Sequence, residues 1–360
     1  MTRIVAVCRR DPAVVEAVRS SLAAHADIQG SISGARQVVC WAELRSGADG
    51  GSQARELSAL DGVARTEVFD SNYALVDRRT QSESTTVPFG SLQFGRDLVV
   101  IGGPCSAETA TQVDSVAAAV ARAGGHALRG GAFKPRTSPY SFQGLGEPGL
   151  MLLRHAADAE GLPLVSEAMC AEEVELVARH AHMVQIGSRN MQNFRLLEAV
   201  GRCDTPVLLK RGFMARVDEM LAAAEYIYCR GNTQIVLCER GIRGFDPTFR
   251  NILDLSGLVW LKQRSHLPVI VDPSHAAGTN ELVAPLARAA IAAGADGLLV
   301  EVHDRPEEAL SDGEQALTPG QFATLMLEVA AVARALGRRL APGPRCAGGE
   351  GIAMSNAAAD

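Results

Sequence analysis

The chain has 360 residues, about two to three times the length of a typical domain, which predicts one large domain and a smaller one. Apolar residues form 47% and charged residues 21%, a globular balance that excludes overall disorder. The formal net charge of −6 argues against nucleic acid or an anionic membrane as a partner, and no apolar run reaches the ~18 residues of a transmembrane helix. The eight cysteines form no CxxC pair, which argues against a zinc knuckle. The N-terminal apolar run is too short for a signal peptide. We therefore expect reduced thiols in a cytoplasmic protein.

Residues 1–80 have the pattern of a small α+β domain. Asp11-Pro12 supplies an N-cap and a proline at the first helical position, which predicts a helix after the first strand. Four short apolar runs predict strands: Ile4–Val7, Gln37–Trp41, Val63–Phe69 and Tyr73–Val76. The predicted element order is β-α-β-β-α-β, typical of a ferredoxin-like domain of the kind that senses small molecules. The polar stretch 81–92 then predicts a linker.

Residues 93–340 alternate short apolar runs with segments long enough for helices. The runs that predict strands are Leu98–Ile101, Ala127–Leu128, Pro163–Val165, Met183–Ile186, Pro206–Leu209, Gln234–Leu237, Pro268–Val271 and Gly297–Val300. Eight such units in roughly 250 residues predict a parallel (β/α)8 TIM barrel. A doubly wound open sheet is the alternative, disfavoured because no GxGxxG loop follows the first strand. Residues 341–360 lack any periodicity and predict a disordered tail.

Cations follow many of the predicted strands, at the end of a barrel where catalytic groups gather. They are Arg129, Lys134, Arg136, Arg189, Lys210 and Arg240. Like charges repel unless an anion neutralises them, so this set predicts a site for phosphate or carboxylate groups. The alternative is that the cations pair with Glu167, Glu239 and Asp272, which also follow strands.

A second group of strand-end residues combines a thiol, an imidazole and two carboxylates. They are Cys105, His275, Glu301 and Asp312, which follow strands one, seven and eight, neighbours once the barrel closes. Such a mixed N, O and S donor set suits Mn, Fe, Co, Zn or Cu. Spacing alone leaves open a buried cysteine and a structural histidine, and His303 is a competing donor.

Seven longer motifs occur in one order between residues 93 and 340. They are IGGPCSAE from Ile101, RGGAFKPRTSP from Arg129, QIGSRNMQNF from Gln185, LLKRG from Leu208, CERG from Cys238, VDPSH from Val271, and EVH from Glu301 continuing to ALSDG from Ala309. This set resembles the type Iβ subgroup of the 3-deoxy-D-arabino-heptulosonate 7-phosphate (DAHP) synthases. Residues 73–78 resemble part of the N-terminal ferredoxin-like domain that some members carry.

The resemblance implies a metal-dependent condensation of phosphoenolpyruvate with D-erythrose 4-phosphate and water, giving DAHP and phosphate, the first step of the shikimate pathway. By family motif the divalent metal is held by Cys105, His275, Glu301 and Asp312. Phosphoenolpyruvate is assigned to Arg129, Arg189, Lys210 and Arg240. The acceptor is assigned to Lys134, Arg136, Thr137 and Ser188. Asp272 is a further candidate for substrate binding. Lys134 is the candidate donor of a proton to the developing alkoxide or of a hydrogen bond to phosphoenolpyruvate, and Glu167 is the candidate group that orients water. Relatives are homotetramers or dimers, so a homo-oligomer is expected.

Two other functions compete with this interpretation. A 3-deoxy-D-manno-octulosonate 8-phosphate synthase uses the same donor and barrel, but its acceptor loop reads Lys-Ala-Asn-Arg-Ser where this chain has Lys-Pro-Arg-Thr-Ser from Lys134. A non-catalytic regulatory barrel predicts decay of the metal donors or of Lys134, and all of these residues are present.

Overall fold

The computed structural model describes residues 2–34, 37–134 and 138–344. Its N-terminal unit contains β1 (Arg3–Arg9), α1 (Pro12–Ala23), β2 (Ala26–Ser33), β3 (Gln37–Leu44), α2 (Gly50–Ser58) and β4 (Val63–Phe69). The strands form one antiparallel sheet in the order β2-β3-β1-β4, the arrangement of a ferredoxin-like domain. Alternate residues of β1 and β3 face the two helices, so one side of the sheet has its own apolar core.

The larger unit is a closed barrel of eight parallel strands, as the alternation of apolar runs predicts. Its strands are β7 (Val99–Gly103), β8 (Ala127–Arg129), β9 (Leu164–Ala168), β10 (Met183–Ile186), β11 (Val207–Lys210), β12 (Ile235–Glu239), β13 (Val269–Val271) and β14 (Gly297–Glu301). The pairing of β14 with β7 closes the ring. The open-sheet alternative is therefore wrong.

Helices cover the outside of the barrel. They are α3 (Ala110–Arg122), α4 (Glu147–Ala159), α5 (Val174–His180), α6 (Phe194–Val200), α7 (Val217–Tyr228), α8 (Leu255–Arg264), α10 (Asn280–Ala292) and α11 (Pro319–Ala335). The short helix α9 (Pro273–Ala277) directly follows β13 at the C-terminal end of the barrel. No helix in residues 2–34, 37–134 or 138–344 is long and apolar enough to cross a membrane.

A short hairpin plugs the N-terminal end of the barrel. It consists of β5 (Val87–Phe89) and β6 (Leu92–Phe94), and it lies largely within the stretch 81–92 that the sequence suggests as a linker. Phe89 and Phe94 are fully buried and belong to one apolar cluster with the side chains that fill the barrel interior. Gly90 lies against the ring of Pro163, the residue that precedes β9. This contact holds the hairpin beside the start of β9.

The predicted strand at Tyr73–Val76 is wrong, because these residues form a buried turn. The partner of their backbone N–H groups is distant in sequence. The carboxylate of Glu225 on α7 accepts hydrogen bonds from Ala74, Leu75 and Val76 at 2.9–3.1 Å. His266, just before β13, donates from Nε2 to Leu75 O at 2.8 Å. The turn therefore ties the N-terminal unit to the flank of the barrel.

The end of the described chain also pairs with the barrel. The Ala341 N–H donates to Leu98 O at 2.9 Å, and Ala341 is buried. Of the stretch 341–360, which the sequence predicts to be disordered, residues 345–360 lie outside the described residues.

Candidate active site

A cavity of about 320 Å³ opens at the C-terminal ends of the barrel strands. Its lining includes seven cations: Arg129, Lys134, Arg189, Lys210, Arg240, Arg243 and Arg250. Only two carboxylates, Glu167 and Asp312, line it among the described residues. The remaining polar lining includes Gln185, Ser188 and Asn251. A dense positive charge inside a protein of net charge −6 favours anionic ligands.

Some of the cations have carboxylate partners and others do not. Arg129 Nη1 lies 3.0 Å from Glu301 Oε1, and Lys210 Nζ contacts Asp272 Oδ2. Arg240 instead donates to the carbonyls of Gly241 and His275, both at 3.1 Å. In the described chain, the buried Nε atoms of Arg129 and Arg240 have no hydrogen-bond partner, so donors remain for an anion. The pairing alternative thus holds for Lys210 with Asp272, whereas Glu239 pairs with Arg211.

One aromatic ring supports three of these guanidinium groups. The Cζ atoms of Arg189, Arg240 and Arg243 lie 5.3, 4.8 and 5.3 Å from the centroid of Phe213. The face of an aromatic ring attracts cations, so Phe213 offsets part of the repulsion between the arginines. Phe213 and Arg243 were not predicted as site residues, since neither directly follows a strand.

The four predicted metal donors meet at the edge of the cavity. One ligand atom from each of Cys105, His275, Glu301 and Asp312 lies within 4.8 Å of the others. His275 Nε2 is 3.3 Å from Glu301 Oε1, and Cys105 Sγ is 3.3 Å from Asp312 Oδ2. His303 is buried beside Asp304 and is not part of this group.

The surroundings of these donors fit a divalent cation. Asp272 Oδ2 lies 2.7 Å from His275 Nδ1, which leaves Nε2 facing the carboxylates, the orientation that metal-bound histidines adopt. Burial lowers the pKa of His275, against the charges of Asp272 and Glu301, and so favours the neutral, ligating imidazole. Burial and Glu301 raise the pKa of Cys105 to about 11, so binding of a metal there releases a thiol proton.

Asp312 is held ionised in an unusual backbone conformation. It has φ 52°, the only positive φ of a non-glycine residue in the described chain. Burial opposes its charge, yet His275 and Arg250 keep the pKa of Asp312 well below its usual range. A charged carboxylate is therefore present at the donor group.

Lys134 and Glu167 lie at different walls of the cavity. Lys134 Nζ donates to Cys105 O at 3.0 Å and lies 2.9 Å from Cys105 Sγ, next to the metal donors. Glu167 accepts from Gln185 Nε2 at 2.9 Å, and an added Cβ at Gly187 would overlap its carboxylate. Glycine at 187 therefore leaves the space that Glu167 fills.

The remaining predicted residues are placed as follows. Ser188, Arg189, Lys210 and Arg240 line the cavity, whereas Asp272 is fully buried behind it, between Lys210 and His275. Arg136 and Thr137 lie outside the described residues. Arg250 and Asn251 also line the cavity, and neither of them is predicted from the sequence as a site residue.

Comparison with known proteins agrees with this geometry. The phospho-2-dehydro-3-deoxyheptonate aldolase of Thermotoga maritima is 49% identical over 285 residues, covering 79% of this chain and 84% of that protein. A 2-dehydro-3-deoxyphosphooctonate aldolase of Geobacter sulfurreducens is 30% identical over 268 residues, covering 68% and 97%. The crystal structure of the Thermotoga DAHP synthase superposes with a TM-score of 0.76 at 41% identity, over 95% of this chain and all of that one.

The truncated form of the Thermotoga DAHP synthase superposes with a TM-score of 0.71 at 45% identity and covers 75% of this chain. The family model described as the DAHP synthetase I family matches residues 81–336, which span the barrel and its plug. The chain belongs to the DAHP synthetase I family.

Proposed function

We propose that this chain condenses phosphoenolpyruvate with D-erythrose 4-phosphate and water to give DAHP and inorganic phosphate. The observation that carries the proposal is the meeting of seven cations and a four-residue metal donor group in one cavity. Two phosphorylated substrates repel each other, and a cationic wall lowers the cost of bringing them together.

Phosphoenolpyruvate occupies the floor of the cavity in this proposal. Arg129 and Lys210 are almost fully buried there, and Arg240 offers an unpartnered Nε atom. Arg189 completes the set from the rim, above the Phe213 ring. These groups bind the phosphate and carboxylate of the donor. Asp272 acts through Lys210 and does not itself contact substrate.

The acceptor lies nearer the mouth. Lys134 and Ser188 line the cavity. Arg136 and Thr137, which follow Lys134 in the sequence, are assigned to the acceptor phosphate in this proposal. In this arrangement C3 of phosphoenolpyruvate attacks the aldehyde carbon of the acceptor, and negative charge develops on the aldehyde oxygen.

A divalent cation belongs with Cys105, His275, Glu301 and Asp312. When bound, it supplies Lewis-acid polarisation of a carbonyl oxygen. Lys134, which touches Cys105, donates a proton to the developing alkoxide. Glu167, fixed by Gln185, orients the water that adds to C2, after which the hemiketal expels phosphate with cleavage of the C–O bond. The donor set suits Mn, Fe, Co, Zn or Cu.

The octulosonate synthase alternative is weaker on sequence. The relative named as an octonate aldolase is 30% identical to this chain, whereas the heptonate aldolase is 49% identical. The loop from Lys134 also keeps the Pro-Arg-Thr-Ser sequence. A purely regulatory barrel has no support, since every metal donor and Lys134 are in place.

The proposal also assigns roles to the domains and to the assembly of the chain. Residues 1–80 form a regulatory-type domain and residues 93–340 form the catalytic barrel. Residues 81–92 lie between them and include most of the plug, and the chain acts as a cytoplasmic homo-oligomer. Relatives use such a domain for feedback by an aromatic amino acid. The glycine-containing stretch Gly47–Gly51 is an extra segment in this sequence, and on that ground we propose altered or lost control. Titration of activity with phenylalanine, tyrosine and tryptophan tests this, and strong inhibition by any one of them contradicts it.

The decisive experiment is a phosphate-release assay with both substrates. We expect release that needs phosphoenolpyruvate and erythrose 4-phosphate together, is lost with a chelator, and returns with added divalent metal. Arabinose 5-phosphate in place of erythrose 4-phosphate is the control for the octulosonate alternative. Faster turnover with arabinose 5-phosphate contradicts the proposed acceptor, and activity that survives complete metal removal contradicts the metal site.

A further inference from the structure

Arg250 contacts the proposed metal donors although it lies on a different loop. It stands in the segment that follows β12, and its guanidinium donates to Asp312 Oδ1 from both Nη1 and Nη2 at 3.3 Å. Asp312 itself has φ 52°, a left-handed backbone conformation that persists only where surrounding contacts hold it. A two-pronged contact from Arg250 restrains the direction of that carboxylate.

The same guanidinium reaches the second carboxylate donor through an amide. Arg250 Nη1 also contacts Gln315 Oε1, and Gln315 Nε2 in turn contacts Glu301 Oε2. Gln315 is fully buried, so its amide has no water to exchange with, and both of its ends are used. Glu301 Oε1 is left to face His275 and Arg129.

The fold makes room for the stem of Arg250. Gly278 ends α9, the short helix that carries His275, with φ 73°. A Cβ at Gly278 would lie 2.6 Å from Arg250 Cβ and 2.8 Å from Arg250 Cδ. The arginine stem therefore runs across the end of the His275 helix, and a larger residue at 278 would displace it.

We infer that Arg250 and Gln315 are positioning residues that hold Asp312 and Glu301 in the orientation that binds the divalent metal. The inference rests on the metal site of the proposed function. Arg250 is half-exposed and lines the cavity, so a direct role in binding substrate phosphate is the competing explanation. The two roles differ in one respect: only positioning changes the metal affinity when no substrate is present.

The test is titration of the chelator-treated full-length chain with Mn²⁺ in the absence of substrates. We expect Arg250→Met to weaken Mn²⁺ binding by about tenfold or more, the usual effect of removing a group that orients metal ligands. Gln315→Leu should weaken it similarly, and the double variant should lose less than the product of the two effects, because both act along one chain of contacts. Arg250→Lys keeps the charge but not the fork, so it should recover affinity only in part.

Arg243→Met is the matched control, because Arg243 lines the same cavity but stacks on Phe213 and is not in contact with the donors in the described structure. Its Mn²⁺ affinity should equal that of the wild type. Thermal melts without metal show whether each variant folds. If the variant at the buried Gln315 does not fold, the variant at the half-exposed Arg250 still tests the inference. Equal affinity of wild type and Arg250→Met, with a raised KM for a substrate, overturns the inference alone. Failure of the wild type to bind Mn²⁺ overturns the proposed metal site as well.

Discussion

Oδ2 of Asp272 lies 2.7 Å from Nδ1 of His275, and Oδ1 of the same carboxylate accepts the His275 N–H at 2.9 Å. One carboxylate thereby fixes both the backbone and the ring of the proposed ligand. Asp272→Asn keeps the size but removes the charge, so we expect metal affinity to fall roughly 10–100-fold. Calorimetric titration of the chelator-treated protein measures this. Asp254→Asn is the control. Like Asp272, Asp254 caps a helix and pairs with a cation, here Arg211, but it lies away from the metal donors. Unchanged affinity in Asp272→Asn contradicts the role.

Removal of the Lys134 ammonium should abolish turnover and leave the fold intact. Lys134 is the proposed proton donor, and loss of a general acid costs about 10²–10⁴ in rate. Steady-state phosphate release from Lys134→Ala, with a thermal melt and a metal titration alongside, separates loss of chemistry from loss of structure. A near-normal kcat removes Lys134 from the mechanism.

Replacement of the Cys105 thiol should change which metals bind. A thiolate favours softer cations, so Cys105→Ser should weaken Zn²⁺ and Cu²⁺ binding more than Mn²⁺ binding. Competitive metal titration of wild type and variant gives the two ratios. Cys170→Ser is the matched control, since Cys170 is a half-buried free cysteine outside the donor group. An equal loss for all metals would argue against direct ligation by sulfur.

Two buried histidines should make stability fall on mild acidification. Burial lowers the pKa of His126 and of His266 to about 4, and Arg78 reinforces this at His266 while Asp77 opposes it. Between pH 6.5 and 4 the unfolded chain binds these protons and the folded chain does not, so stability falls as pH drops, by up to about 1.4 kcal/mol per pH unit for each histidine.

Urea unfolding of the metal-free protein at pH 7.5 and 5 measures this loss. His266→Gln keeps a polar group at the site but cannot take up a proton, so its stability should depend less steeply on pH. The same steepness in wild type and His266→Gln would show that His266 does not contribute.

The hairpin that plugs the barrel should matter for stability. Phe94→Ala removes a fully buried ring from the interior cluster, which typically costs about 3–5 kcal/mol. Phe245→Ala removes a fully exposed ring and should change the free energy of unfolding by no more than about 0.5 kcal/mol. Equal effects in chemical denaturation would mean that the plug does not stabilise the barrel.

The sequence allowed most of the barrel to be predicted, because each buried parallel strand is a short apolar run and the groups that follow it converge at one end. The N-terminal unit shows the limit of that logic. Tyr73–Val76 has the composition of a strand, but its N–H groups bond to Glu225, about 150 positions away. No local pattern reports such a partner.

The same reason explains the missed site residues. Arg250 lies in a long loop with no period, and its contact with Asp312 exists only because the segments after β12 and β14, the two neighbours of β13, lie at the same end of the closed ring. Phe213 is missed for a similar reason, because its role in the site depends on contacts with three arginines from two different loops. Residues that work through neighbours distant in sequence require coordinates.

The plug determines the end of the barrel from which substrates can enter the cavity. With Phe89 and Phe94 filling one end of the barrel, the cavity has its opening at the other end, where Arg243 and Arg250 stand at the rim and Arg129 and Lys210 at the floor. On the proposed function, phosphoenolpyruvate on the floor therefore has to bind before the acceptor that lies above it.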